Sequence, residues 1–438
     1  MFEGLERRLF LSGSPSGLSP AQIRHAYGFD ATVFTNGGVV FGATGRNQTI
    51  AIVDAYLDPT IASDLRTFDS TFGLPNTDVN GHFVLTVATP EGTPTVDPGW
   101  SQETALDVEW AHAVAPKADI LLVSAASASF PDLMNAVNYA KAQPGVVAVS
   151  MSWGGSDFRG EVNYDSVFTT PAGHVDNNGI GGGVTFLTAS GDSGGGSSYP
   201  SSSPNVISVG GTTLNVDGSG NYLAETAWSG SGGGRSSVEH TNLPDVAYNA
   251  DPNTGYSVYD STPNGGISGW QVFGGTSAGA PQWAGLIADV DQGRNYVGLG
   301  SLDGQHQAIP ALYNLPSGDF HDITVGDNGL YFATTGYDLV TGLGTPVVPR
   351  IVDDLVGNNI TGAWFGSAST VVPVANIPRS ATHFSHVAIA APHQPVAAQP
   401  FAKGNDNFVL ASRDFWGNNR DVLNGVFRVE HPNTSVLG

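Results

Sequence analysis

One serine in this sequence is set up for nucleophilic work. Ser277 lies in Phe273-Gly274-Gly275-Thr276-Ser277-Ala278-Gly279-Ala280-Pro281, ahead of the apolar run Trp283-Ala284-Gly285-Leu286-Ile287-Ala288. The glycines permit a sharp turn, and the run after Pro281 predicts a buried helix whose small residues allow close packing. A serine at such a turn stands where backbone N–H groups and the helix dipole favour negative charge. A nucleophile that forms an oxyanion needs that environment; a helix N-cap serine would have the same local sequence. Two carboxylates, Glu103 and Asp107, are four apart on a predicted helix, so they share a face and can meet, while Glu109 points elsewhere. That helix continues into Trp110-Ala111-His112-Ala113-Val114-Ala115-Pro116, an apolar end that belongs inside a domain. Two carboxylates held together there cannot both be charged comfortably. One pKa rises, and the pair suits general acid/base work. A third carboxylate, Asp192, follows a predicted strand in Thr188-Ala189-Ser190-Gly191-Asp192-Ser193-Gly194; taken by itself this would be an Asx-turn.

The elements that must position these groups alternate. Ser19 to Tyr27 reads as a capped short helix. Strands are predicted over Thr49–Ala55, Phe83–Val87, Ile120–Ser124, Val146–Trp153, Val184–Ala189 and Val206–Val209. Helices are predicted over Ile61–Phe72, Gln102–Val114, Pro131–Lys141 and Pro349–Leu355. This alternation predicts an α/β fold, a parallel sheet with helices on both faces. In such sheets function gathers beyond the carboxyl ends of the strands, and Asp54, Trp153, Asp192 and Ser277 all fall at such edges. The Gly/Ser/Asn-rich stretch from Gly210 to Gly275 reads as long surface loops with short strand-like pieces. From Gly357 the texture changes, so residues 357–438 are read as a C-terminal appendage. It holds His383, His386, His393 and His431. His383 and His386 could pair on a metal, but scattered surface histidines are the plainer reading.

Composition narrows the classes of function. Acidic residues outnumber basic ones 39 to 16 in the 438 residues, for a net charge of -23. That balance argues against nucleic acid or an anionic membrane as a partner. The absence of cysteine excludes a disulfide framework, a thiol nucleophile and thiolate metal sites. No apolar run reaches transmembrane length. The segment Met1 to Gly13 has basic residues and then an apolar patch too short for a convincing signal peptide.

Taken together, the three chemical stretches resemble the sedolisin (serine-carboxyl peptidase) family, relatives of the subtilisins, over residues 19–356 in order. The family's catalytic Glu and Asp fall on Glu103 and Asp107, its oxyanion aspartate on Asp192 and its nucleophile on Ser277. Ser150-Met151-Ser152-Trp153-Gly154-Gly155 and Pro244-Asp245-Val246 agree as well. In some members an acidic residue after the first strand, here Asp54, supports the catalytic carboxylates through the tryptophan matching Trp153. The resemblance also implies one structural Ca2+ site in C-terminal loops, from Asp322 and Asp338 with the carbonyls of Ile323, Thr334 and Gly336. Such hard oxygens suit that cation.

The resemblance implies a subtilisin-like peptidase domain over 19–356 that hydrolyses protein or peptide substrates at acidic pH, outside the cell and as a monomer. Family members carry a large N-terminal prosegment. Here the match begins near residue 19, so residues 1–18 are expected to be a short leader without one. Two other readings compete. A subtilisin-type Ser/His/Asp triad would pair Asp54 and Ser277 with a histidine, His82 or His112, although the helix in question opens on Glu103 and no His-Gly-Thr-His occurs. A non-catalytic secreted scaffold on the same fold is the other. Endopeptidase and tripeptidyl-peptidase activity are both compatible with the resemblance.

Overall fold

The structure, a computed structural model, describes residues 13–357 and the two residues Val409–Leu410. Residues 1–12 and the rest of the expected appendage, with its four histidines, lie outside the described residues.

One sheet carries the fold. Its parallel strands in chain order begin with β1 (Thr49–Ala55), β2 (Leu85–Ala88), β3 (Asp119–Ala125) and β4 (Val146–Met151). A short strand, β5 (Trp153–Ser156), then leaves the sheet. The sheet resumes with β6 (Thr185–Ala189) and β7 (Ile207–Val216). Side by side the strands run β2-β3-β1-β4-β6-β7, all parallel. The far end of β7 is flanked by β8 (Tyr222–Ala227), antiparallel, and β9 (Val246–Asn249), parallel.

The parallel strands are covered on both faces, so β1 reads as an almost unbroken apolar run. Its side chains alternate between two cores, as strand geometry requires. Ile50 and Ile52 enter one core, and Ala51 and Val53 the other. The second core is covered by α4 (Phe130–Ala142). The first is covered by α1 (Pro20–Tyr27), α2 (Ile61–Phe72), α3 (Pro98–Val114), α5 (Gly279–Tyr296) and α6 (Val348–Val356). Among the described residues no helix is long and apolar enough to cross a membrane.

Two of these helices build the site. Helix α3 starts at Asp97, whose carboxylate accepts from the N–H groups of Gly99 and Trp100 at 2.9 and 3.1 Å, with Pro98 as the first helical residue. This is a strong start signal. Every residue from Trp100 to Val114 is buried. Helix α5 lies against α3 at Gly285, where a Cβ would come within 2.3 Å of the Val114 side chain. Only glycine allows that approach, and it brings the N-terminal turn of α5 alongside α3.

Two expectations need correction. The predicted strand Val146–Trp153 is divided at Ser152, and the residues after it turn out of the sheet as β5. The stretch 210–275 is not mainly surface loop. It holds the extension of β7, then β8 and β9, and a long antiparallel hairpin of β10 (Tyr256–Asn264) and β11 (Ile267–Phe273). Polar residues hid these strands because their partners are remote in sequence. The Trp110 indole N–H donates to the Ser257 carbonyl at 3.1 Å, and the Tyr259 N–H donates to Glu109 at 3.0 Å.

Candidate active site

Ser277 is delivered as its local sequence predicts. Strand β11 ends at Phe273, Gly274 and Gly275 make the turn, and Thr276–Ala278 form one 3-10 turn that runs into α5. Ser277 does not cap that helix. The residue before α5 is Ala278, without a capping side chain, and the buried Ser277 hydroxyl has no hydrogen-bond partner. The simple N-cap explanation is therefore excluded. The Ser277 carbonyl accepts from Ser152 Oγ at 3.2 Å.

The helix that carries the paired carboxylates, α3, packs on this turn. Glu103 and Asp107 are both fully buried, and so is Asp54 at the end of β1. Burial holds the Asp107 carboxyl well above the usual carboxylate range. Asp54 and then Glu103 push it further in the same direction, against the Ser152 hydroxyl. Burial also pushes Asp54 up to about 7, with the Thr104 hydroxyl opposing and Asp58 adding to the rise. Thus three carboxyl groups share one dry compartment, and they cannot all be charged. Trp153 lies beside the chain segment that carries Asp54. Its indole N–H donates to the Val53 carbonyl at 2.7 Å, one residue before Asp54 in β1.

Asp192 also meets the nucleophile turn. It lies just past β6, and its Oδ1 accepts from both the N–H and the hydroxyl of Thr276, at 2.7 and 2.8 Å. The same hydroxyl accepts from the Gly191 N–H at 3.0 Å. The other oxygen, Oδ2, lies over Gly275, where a Cβ would come within 2.4 Å of it; the φ of Gly275 is +103°. Gly275 is therefore required twice, for the turn and for the space that Asp192 fills.

Ser152 and Thr276 stand within the sequence motifs without an assigned role, and Gly275 only with that of a turn residue. Their signal is adjacency: each flanks a residue that was singled out. Thr276 joins Asp192 to the Ser277 turn, and Ser152 touches both that turn and the Asp107 environment.

The histidines of the competing triad are elsewhere. His112 is wholly buried on α3 on the side away from Glu103 and Asp107, 3.2 Å from Asp69 of α2. His82 is largely exposed and lies beside Asp78.

In the C-terminal loops, Asp322 and the 334–341 turn come together. The Gly336 N–H donates to both Asp322 oxygens at 3.0 and 3.1 Å. Asp338 accepts from the N–H groups of Thr334 at 2.9 Å and of Val340 and Thr341 at 2.8 Å. Each carboxylate oxygen retains lone pairs beyond these bonds, and the set is all hard oxygen. The residues present fit a calcium ion.

Comparison with known proteins places the chain among peptidase relatives. A profile of the subtilase family matches residues 75–306, more than half of the chain. Kumamolisin from Bacillus sp. (strain MN-32) is 32% identical over 396 residues, covering 79% of this chain and 65% of its own length. Sedolisin from Pseudomonas sp. (strain 101) is 31% identical over 252 residues, covering 47% and 40%. The chain thus spans less than two thirds of the length of these curated relatives. The solved structure of Pseudomonas sedolisin, described as a serine-carboxyl proteinase complexed with two molecules of pseudo-iodotyrostatin, matches with a TM-score of 0.61 at 26% identity. It covers 77% of this chain and 98% of that one.

Proposed function

The chain belongs to the subtilase family, with relatives among the sedolisins, and on that premise we propose that it is a serine-carboxyl peptidase cleaving peptide bonds in acid through an acyl-enzyme on Ser277. The observation that carries the proposal is the double hydrogen bond from Thr276 to Asp192, which ties a carboxyl group to the turn of the candidate nucleophile.

The residues divide the work as follows. As Ser277 Oγ attacks the substrate carbonyl carbon, Glu103 takes the hydroxyl proton and the carbonyl electron pair moves onto oxygen. Asp192 donates a hydrogen bond to that oxyanion. Collapse expels the amine, which takes the proton from Glu103, and the acyl group stays on Ser277. Water then attacks the ester, Glu103 accepts its proton, and Ser277 recovers a proton as the acid product leaves. Asp107 keeps its own proton and shares it with Glu103, which orients the base. The raised pKa of Asp107 supports that assignment.

Asp192 must be neutral to donate, since a charged carboxylate would repel the oxyanion. Its Oδ1 already accepts two hydrogen bonds, which leaves Oδ2 as the atom to carry the proton. A carboxylic acid in that role calls for an acidic medium or a raised pKa. A peptide substrate has an edge on which to lie. Val409–Leu410 run antiparallel to Trp153 and Gly154 of β5, and a substrate would take the same edge by strand addition in place of that segment.

The remaining features of the proposal rest on family likeness: one structural Ca2+ in the 322–338 loops, protein or peptide substrates, an extracellular location and a monomer. When bound, Ca2+ would cross-link the two loops through Asp322 and Asp338, with main-chain carbonyls of Ile323, Thr334 and Gly336.

The test is cleavage of a fluorogenic peptide across roughly pH 2 to 8, a range spanning carboxylate and histidine pKa values. Activity confined to the acidic side and abolished in Ser277→Ala, with the fold intact by circular dichroism, is expected. Activity peaking at neutral pH would favour a histidine base, and activity retained by Ser277→Ala would remove the nucleophile assignment. An N-terminally blocked peptide separates endopeptidase from tripeptidyl-peptidase action.

A further inference from the structure

A second acidic cluster lies away from the nucleophile, where α2 meets the β10–β11 hairpin. Asp58 stands just before α2, Asp64 lies in its first turn, and Asp260 is on β10. Their exposures are 4%, 1% and 0%. Each offers one carboxylate oxygen, and the three atoms lie within 4.8 Å of one another. Oxygens that share one calcium at about 2.4 Å can be separated by no more than about twice that distance, so the trio is the right size for one ion.

Local turn chemistry accounts for only part of the cluster. Asp58 Oδ1 accepts from the N–H and hydroxyl of Thr60, at 2.9 and 3.0 Å. Asp64 accepts from the N–H and hydroxyl of Ser261, at 2.9 and 2.7 Å. Asp260 Oδ1 accepts from the Thr262 N–H at 2.8 Å. These bonds leave Oδ2 of Asp58 and Oδ2 of Asp260 sealed from solvent with no donor. Leaving a buried acceptor unsatisfied costs about 1–3 kcal/mol, and more when it is charged. Two further acids, Glu109 and Asp69, face the same junction, and burial with these neighbouring carboxylates holds Glu109 well above the usual carboxylate range. Among the described residues, no lysine or arginine forms an ion pair with Asp58, Asp64 or Asp260.

We propose that Asp58, Asp64 and Asp260 bind a hard divalent cation, Ca2+, at a site separate from the 322–338 loops. Thr60 Oγ1 and Thr262 Oγ1, 2.9 Å apart, supply further hard oxygens beside Asp58. All the donors are oxygen and none is sulfur or imidazole, which selects calcium over transition metals. The ion fastens the start of α2 to β10. Both elements pack on α3, which carries Glu103 and Asp107, so the site braces the catalytic helix from behind. The proposal is independent of the reaction assigned to Ser277.

The experiment uses the full chain with Ser277→Ala to prevent self-digestion, stripped with chelator and titrated with Ca2+ by calorimetry, with Tb3+ luminescence as a second readout. Asp260→Asn and Asp58→Asn preserve shape and remove one negative charge each, so the metal-free variants should melt no lower than the metal-free parent. Each is expected to bind one Ca2+ fewer than the parent and to lose part of the Ca2+-dependent rise in melting temperature. Asp338→Asn, in the other loops, should retain this site. The proposal is overturned if the parent takes up no Ca2+, or if Asp260→Asn and Asp58→Asn bind as many ions as the parent; the cluster would then be held by shared protons alone.

Discussion

Thr276 holds Asp192 with two hydrogen bonds to a single oxygen: its N–H and its hydroxyl both donate to Oδ1, at 2.7 and 2.8 Å. Because Thr276 directly precedes Ser277, the orientation of the proposed oxyanion donor is set by the same turn that sets the nucleophile. The two groups cannot drift apart without breaking both bonds.

Replacing Asp192 should therefore separate its roles. Removing one oxyanion donor in other enzymes costs about 2.7–4 kcal/mol, so Asp192→Ala should lose on the order of a hundredfold or more in kcat. Asp192→Asn donates at any pH and should lose less, with the alkaline limb of the rate profile moved upward if Asp192 sets that limb. Rates of both variants over roughly pH 2 to 8 decide the matter. Near wild-type activity in Asp192→Ala would make Asp192 a turn residue and nothing more.

Gly275→Ala should damage activity more than its size suggests. The new Cβ would lie 2.4 Å from Asp192 Oδ2, on a residue whose φ is +103°. With ψ at 158° the residue lies in a positive-φ region essentially reserved for glycine, where a side chain costs roughly 1–3 kcal/mol, and the collision displaces the carboxyl group. The expected result is a lowered melting temperature and a large drop in kcat with KM changed little. Unaltered kinetics would mean that Asp192 does not act from this position.

Stability should decline as pH rises from about 4 toward 8. Burial, the leading cause in each case, pushes Asp54 up to about 7, Asp58 and Asp245 up to about 6, and Asp260 and Asp289 up to about 8, from 3.8 for a free aspartate. The folded state keeps these protons where the unfolded chain has released them. Folding is thus favoured below the unfolded pKa, and the advantage is lost as pH climbs through the folded values. Melting temperatures in excess chelator, where no cation can hold the cluster ionised, should fall over that window. A rise over the same window would show that other groups dominate.

Chelation should lower the melting temperature, because an ion that binds only the folded state stabilises it. Asp338→Asn should reduce the dependence on Ca2+. It also weakens a turn in which three N–H groups converge on one carboxylate, so the parent and variant are best compared with and without metal. An unchanged melting temperature in chelator, with no metal by elemental analysis, would count against calcium in the 322–338 loops.

Local patterns were enough to read much of this protein. The Glu103/Asp107 face is visible because helical periodicity puts residues four apart together. The turn before α5 is visible because Gly274, Gly275 and Ser277 are neighbours in the chain. The parallel sheet is visible because strands buried on both faces, such as β1, are apolar almost throughout. Tertiary structure decided what depends on remote partners. The hairpin β10–β11 looks like loop in the sequence because Ser257, Asp260 and Thr262 resemble turn residues until Trp110, Asp64 and Asp58 arrive to bond or face them. The resemblance names Trp153 beside Asp54, and packing supplies what it cannot: the indole donates to the Val53 carbonyl. The trio Asp58, Asp64 and Asp260 could not be seen at all, since no period or motif relates a helix start to a strand so far along the chain. Periodicity reports which residues share a face of one element; only the packing of elements brings charges from different faces into one dry space, and there burial sets their protonation.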